Sequence, residues 1–248
     1  MFRSKLSVLP SRGDCLLRYY AGHAELEFRN PAAKNAVSIQ MMVQLSDVVK
    51  RLEDNPPVCL LIYGDNVFCA GGDLSDVRRY LMDEAGEMSS YMSDLLNRIQ
   101  RLPSFVIAAV DGAAIGGGAE ICTVADHVIC HQDATVAFVH TKLGVSPGWG
   151  GAKRLISKVG RTQALFLLTT GSRCTAETLL RMQLVDDISR TETAVESARK
   201  LIANIENAPK SALKAVIRIV KQGANEHTEF TTLWGSKPHR VALGLDDK

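Results

Sequence analysis

The 248-residue chain has no apolar run near the roughly twenty residues that a membrane-crossing helix requires, so no membrane-spanning helix is expected. An excess of charge of one sign is missing too. With 29 basic and 27 acidic residues the net charge is +2, which makes no case for nucleic acid and would not repel an anionic small molecule. The six cysteines (Cys15, Cys59, Cys69, Cys122, Cys130, Cys174) are scattered, mostly in apolar stretches, without a paired spacing. They read as reduced, buried thiols of an intracellular protein. The glycines of 112–118 lack both the dinucleotide and the phosphate-loop spacings. No repeat or low-complexity linker divides the chain, whose length suits one larger domain or one with an appendage.

What is present begins with MFRSKLSVLPSR, a basic, serine-bearing start without acidic residues. It is short and lacks an amphipathic pattern, so a disordered leader over residues 1–14 of a cytoplasmic protein is expected, with a mitochondrial address as the alternative. Leu16 to Tyr20 and Ala24 to Phe28 read as a hairpin. Ser38 suits the N-cap of a helix running to about Asp54, in which Met42, Leu45, Val48, Val49 and Leu52 recur at helical spacing. Val58 to Tyr63 is a buried strand. A helical region with Tyr91, Leu95 and Ile99 on one face then ends near Pro103, and Phe105 to Val110 is a second buried strand. That order implies a parallel strand–helix–strand unit. Farther on, short helices split by Gly160 and Gly171 precede amphipathic helices over Thr193 to Ile205 and Ser211 to Gln222.

Val110 to Gly151 is the densest region chemically. Gly116, Gly117 and Gly118 follow a buried strand and allow the backbone to approach a ligand closely. Glu120 falls in the first turn of the helix they open, where unpaired N–H groups point outward, and His140 lies downstream in apolar surroundings. Taken alone, the glycines fit a close-packed strand-to-helix turn equally well.

Four ordered blocks carry a resemblance: LEFRNPAAKNAVS (Leu26 to Ser38), VFCAGGDL (Val67 to Leu74), GAAIGGGAEI (Gly112 to Ile121) and LGVSPGWGGAKRL (Leu143 to Leu155). Together they resemble the crotonase (enoyl-CoA hydratase/isomerase) superfamily over roughly Leu16 to Ile188. The resemblance implies an α/β spiral core of ββα units over residues 15–190. It also implies a helical C-terminal trimerisation region over 191–248, giving a homotrimer or a dimer of trimers. FVHTKLGVSPGWGG and the late Leu233-Trp234-Gly235 look like the ethylmalonyl-CoA decarboxylase branch, because hydratases usually carry a Glu where this chain has His140.

Carried over by position, the resemblance assigns the oxyanion hole to the N–H groups of Gly72 and Gly117, catalysis to Glu120 and His140, and the acyl pocket to Trp149 and Trp234. Coenzyme A would lie along Ala70, Gly72 and Asp73 as part of an acyl-CoA substrate, with no separate cofactor and no metal. The implied reaction is decarboxylation of a 2-alkylmalonyl-CoA through a thioester enolate. An enoyl-CoA hydratase or isomerase, and a crotonase-fold binding protein without catalysis, are the alternatives.

Three other patterns point elsewhere and are weaker. Gly144-Val145-Ser146-Pro147-Gly148 matches a hydrolase nucleophile elbow, but Pro147 has no N–H where that motif needs an oxyanion donor. His127, Cys130 and His131 resemble metal ligands, yet side chains on a strand alternate between faces, so Cys130 and His131 would point apart. Lys214, Arg218 and Lys221 form a basic stripe that reads as a solvated helix face.

Overall fold

The computed structural model describes residues 12–78 and 83–246. The expected leader therefore lies outside the described residues apart from its last three positions, and Asp14 already opens the first strand. β1 (Asp14–Tyr19) and β2 (His23–Arg29) form the expected antiparallel hairpin. β3 (Cys59–Gly64), β4 (Phe105–Val110), β6 (His127–His131) and β9 (Asp187–Ser189) extend it in parallel, giving the order β1-β2-β3-β4-β6-β9.

A second sheet of very short strands, β5 (Ala113–Ile115), β7 (Thr135–Ala137) and β8 (Cys174–Thr175), stands beside it. β4 passes into β5 and β6 into β7, so each turn of the chain lays one strand in each sheet before a helix. This is the ββα spiral expected from the resemblance. Isolated bridges Cys69↔Ala114 and Val37↔Gly72 carry the second sheet's pairing into the 69–72 loop. That pairing sets Gly72 beside the start of the glycine-rich turn.

The helices follow their local signals. α1 (Ile39–Asp54) starts where the Ser38 hydroxyl accepts from Met41 N–H at 3.2 Å, satisfying one of the donors a helix start leaves unpaired. Its Met42, Leu45, Val48, Val49 and Leu52 are all buried. A short turn, α2 (Leu74–Asp76), leads on to α3 (Ala85–Arg101), which buries Leu95 and Ile99. α4 (Gly117–Cys122) begins within the glycines, with Gly116 as its N-cap, and a 3-10 turn over Val139–Leu143 carries His140. α5 (Gly151–Thr170) is broken at Gly160, whose φ of 74° and ψ of 168° are not helical, so two helical segments meet there as expected, and Gly171 caps the second.

α6 (Ala176–Arg181) and α7 (Ala194–Glu206) follow. Thr193 and Glu196 form a reciprocal capping box at the start of α7. α7 then buries Ala194, Ala198 and Ile202 against Leu61, Ile107 and Ile129 on the face of the main sheet opposite the larger core. α8 (Lys210–Gln222), α9 (Glu226–Leu233) and α10 (Lys237–Ala242) finish the chain, and α9 and α10 bury no residue. Two cations of the basic stripe are engaged within the protein: Arg218 by Glu229 in two hydrogen bonds and Lys221 by Asp126 at 2.7 Å.

Candidate active site

Glu120 and His140 meet, although they come from different elements. Glu120, on α4, is fully buried, and its Oε1 lies 3.5 Å from Nε2 of His140. Its other oxygen, Oε2, accepts the Trp149 peptide N–H at 2.6 Å. Oε1 of Glu120 and Nδ1 of His140 have no hydrogen-bond partner although both are buried. Orphaned polar atoms of this kind are uncommon in a packed interior, and a catalytic role is one of the reasons a fold keeps them.

The ionisation of the pair follows from burial. Loss of solvent pushes the Glu120 carboxyl up to about 7, against the opposing pull of the Trp149 N–H and the Arg154 guanidinium. Burial pushes His140 down. Near neutral pH the carboxyl is thus poised between its two forms while the imidazole is held towards its neutral form.

Gly72 and Gly117 are drawn together by the bridges of the 69–72 loop and by the Ile115 N–H to Cys69 carbonyl bond of 2.9 Å. Among the described residues neither Gly72 N–H nor Gly117 N–H donates to a backbone acceptor. Trp149 spans both: a Cβ at Gly72 would lie 3.6 Å from its ring, and one at Gly117 would collide with it. The indole is 5% exposed and its Nε1–H points to Met88 Sδ at 3.0 Å. A Cβ at Gly151 would likewise collide with the Glu120 side chain. The glycines here are what allow Trp149 and Glu120 to close on the backbone.

Two expected residues fare differently. The Asp73 carboxylate accepts from Ser75 N–H at 2.9 Å and the Ser75 hydroxyl at 2.6 Å, starting α2, while Ala70 N–H donates to Lys34. The 70–73 loop therefore flanks the site chiefly with backbone. Trp234 is not brought to the site within this chain. It is 65% exposed at the end of α9, with its ring against Phe230 and His239, because α9 packs on α8. An apolar groove of about 230 Å³ beside it is lined by Phe230, Leu233 and Pro238 among others.

Sequence reasoning passed over Arg154. It is 4% exposed and stands in the first turns of α5, where the helix dipole disfavours a cation. Its setting in GGAKRL, an arginine directly before the buried Leu155, was the available signal. A larger cavity of about 540 Å³ lies on the other face of the main sheet, lined by Glu27, Tyr63, Asp111 and Arg199 among others. It contains none of the residues of the Glu120 site and, among the described residues, has no orphaned polar side chain in its lining. The chemistry concentrates where the two glycines, the carboxyl and the imidazole converge.

Comparison with known proteins agrees with this geometry. The enoyl-CoA hydratase/isomerase family profile matches residues 18–236. Among curated relatives, an ethylmalonyl-CoA decarboxylase from Xenopus laevis is 35% identical, over 92% of this chain and 81% of its own. One of the same name from Danio rerio is 33% identical, over 99% and 87%. Among solved structures, an enoyl-CoA hydratase from Polaromonas sp. JS666 superposes with a TM-score of 0.80 at 24% identity, over 94% of this chain and 96% of that one. DspI of Pseudomonas aeruginosa superposes at 0.83 and 22%, over 96% and 95%. By profile, by relatives and by fold, the chain belongs to the enoyl-CoA hydratase/isomerase family, the crotonase superfamily.

Proposed function

We propose that this protein is a carbon–carbon lyase that decarboxylates a 2-alkylmalonyl-CoA, with ethylmalonyl-CoA as first substrate and methylmalonyl-CoA as second, to the corresponding acyl-CoA. The observation that carries the reading is the partner of Glu120: an imidazole, His140, where hydration of a double bond would require a second carboxylate to grip water. The names of the curated relatives support the same choice.

The thioester oxygen accepts from the N–H groups of Gly72 and Gly117, and the substrate carboxylate enters the buried space beside His140. Its solvation is lost there, while the neutral imidazole offers a hydrogen bond without a full counter-charge. The bond between C2 and the carboxylate breaks. Its electron pair passes into the C1–C2 bond and onto the thioester oxygen, where the two N–H groups stabilise the enolate, and carbon dioxide leaves. One such donor is worth on the order of 3–4 kcal/mol in the barrier. The enolate then collapses and C2 takes the proton of the Glu120 carboxyl, which is raised to about 7 and so carries that proton in part near neutral pH. Trp149, lying over both glycines, provides the apolar wall for the alkyl group.

Incubation with ethylmalonyl-CoA and with crotonyl-CoA, followed by mass spectrometry, tests this. Loss of carbon dioxide from the first with no hydration of the second is the expected result. Hydration of crotonyl-CoA without decarboxylation overturns the assignment in favour of a hydratase. Thermal stabilisation by both esters without turnover of either would identify a binding protein.

A further inference from the structure

The buried Arg154 sits behind the pair just described. Its Nε–H donates to the Thr123 hydroxyl at 2.9 Å and Nη1 to the Asn97 side-chain oxygen at 2.9 Å. Nη2 donates to the carbonyl oxygens of Trp149 at 2.7 Å and Glu120 at 3.4 Å. One guanidinium thus holds the backbone of both residues whose contact orients the carboxyl, together with α3 and the end of α4. A buried cation in the first turns of a helix is costly through both desolvation and the dipole. Burial drags this guanidinium down to about 10, against the pull of Glu120. A plain staple between helices would need no charge. Only the planar fork of arginine reaches four acceptors in fixed directions.

We propose that Arg154 is a positioning residue of the reaction: by gripping the Trp149 and Glu120 carbonyls at once, it keeps the Trp149 N–H on one Glu120 oxygen, leaves the other towards His140, and supplies the positive charge against which the carboxyl ionises. The turnover part of this inference rests on the decarboxylase reading; the charge part does not. The titratable groups around Glu120 are His140 from the 3-10 turn and Arg154 from α5. The Cys69 thiol beneath Gly118 and the Cys122 thiol on α4 are pushed up by burial and stay protonated.

The test follows the infrared carbonyl band of the protonated Glu120 carboxyl, assigned by its absence in Glu120→Gln, through a pH titration of the whole protein. Arg154→Met keeps the side-chain volume and removes the charge. Its Glu120 midpoint should rise by about one unit or more, the usual effect of losing an opposite charge at close range. An unshifted midpoint in folded Arg154→Met overturns the proposal, even if its melting temperature falls. Arg154→Lys restores the charge but not the fork, so it should keep the parental midpoint while kcat on ethylmalonyl-CoA drops about tenfold or more with little change in KM. Parental kcat in Arg154→Lys overturns the positioning role, and this arm remains if Arg154→Met does not fold. If the parent protein does not decarboxylate, the proposed function fails, while the infrared titration still decides whether Arg154 governs Glu120.

Discussion

A carboxyl kept in a fully buried site should weaken the fold that holds it, and Glu120→Gln exposes by how much. The folded protein raises this group from its ordinary 4.5 to about 7, so between those values the folded state binds more protons than the unfolded one. Stability from this residue is then fully present below about pH 4.5, declines as pH rises, and is lost above about 7. At about 1.4 kcal/mol per unit, the loss amounts to about 3 kcal/mol. Glutamine keeps the shape, lets its carbonyl accept the Trp149 N–H and has no charge to desolvate. Any offset it introduces does not depend on pH, and His140 is present in both proteins. Urea unfolding of parent and Glu120→Gln at about pH 5 and about pH 8 should show the variant gaining most of that 3 kcal/mol between the two conditions. At about 2–4 °C per kcal/mol, its melting temperature should gain up to about 10 °C over the parent at the higher pH. Turnover should be lost in the same variant. A stability gap equal at both pH values refutes the argument, because it would mean that Glu120 ionises in the fold as it does in water.

Other outcomes follow from the same geometry. His140→Ala should cost about a hundredfold or more in decarboxylation, and His140→Glu should not restore it but should uncover weak hydration of crotonyl-CoA, both read by mass; parental turnover in folded His140→Ala removes the imidazole from the reaction. With Glu120 as the proposed acid, kcat should fall as pH rises through about 7, and a flat steady-state profile to about pH 9 would assign the proton to another group. Gly117→Ala drives a methyl group into the Trp149 ring, so turnover should fall about a hundredfold and the emission of Trp149, isolated by Trp234→Phe, should change; unchanged emission and turnover would show that the ring moves aside freely. Exposed Val220, Phe230 and Trp234 on the last helices suit the trimer or dimer of trimers expected from the family, and sedimentation showing only monomer at micromolar concentration would contradict it.

Local chemistry determined much of this protein from the sequence alone. Ser38 starts α1, the glycine caps end helices, and the buried runs Cys59–Gly64 and Phe105–Val110 are neighbouring parallel strands. The triple glycine does place Glu120 at a helix start. Each of these depends on residues within a few positions of one another, so periodicity and capping make them legible. The second sheet was not legible residue by residue, because strands of two or three residues have too few positions to show a period. Its pairing is nonetheless what carries Gly72 to Gly117. The contact of His140 with Glu120, the indole across both glycines and the grip of Arg154 on Asn97, Glu120 and Thr123 join residues 20 to 77 positions apart. Their meeting is a property of how the spiral stacks. Trp234 shows the converse: its motif pointed to the acyl pocket, but α9 packs on α8, so within one chain it stays on the surface. Sequence supplied the reactive groups, while the raised carboxyl, the lowered imidazole and the lowered guanidinium arise only once folding removes water from around them.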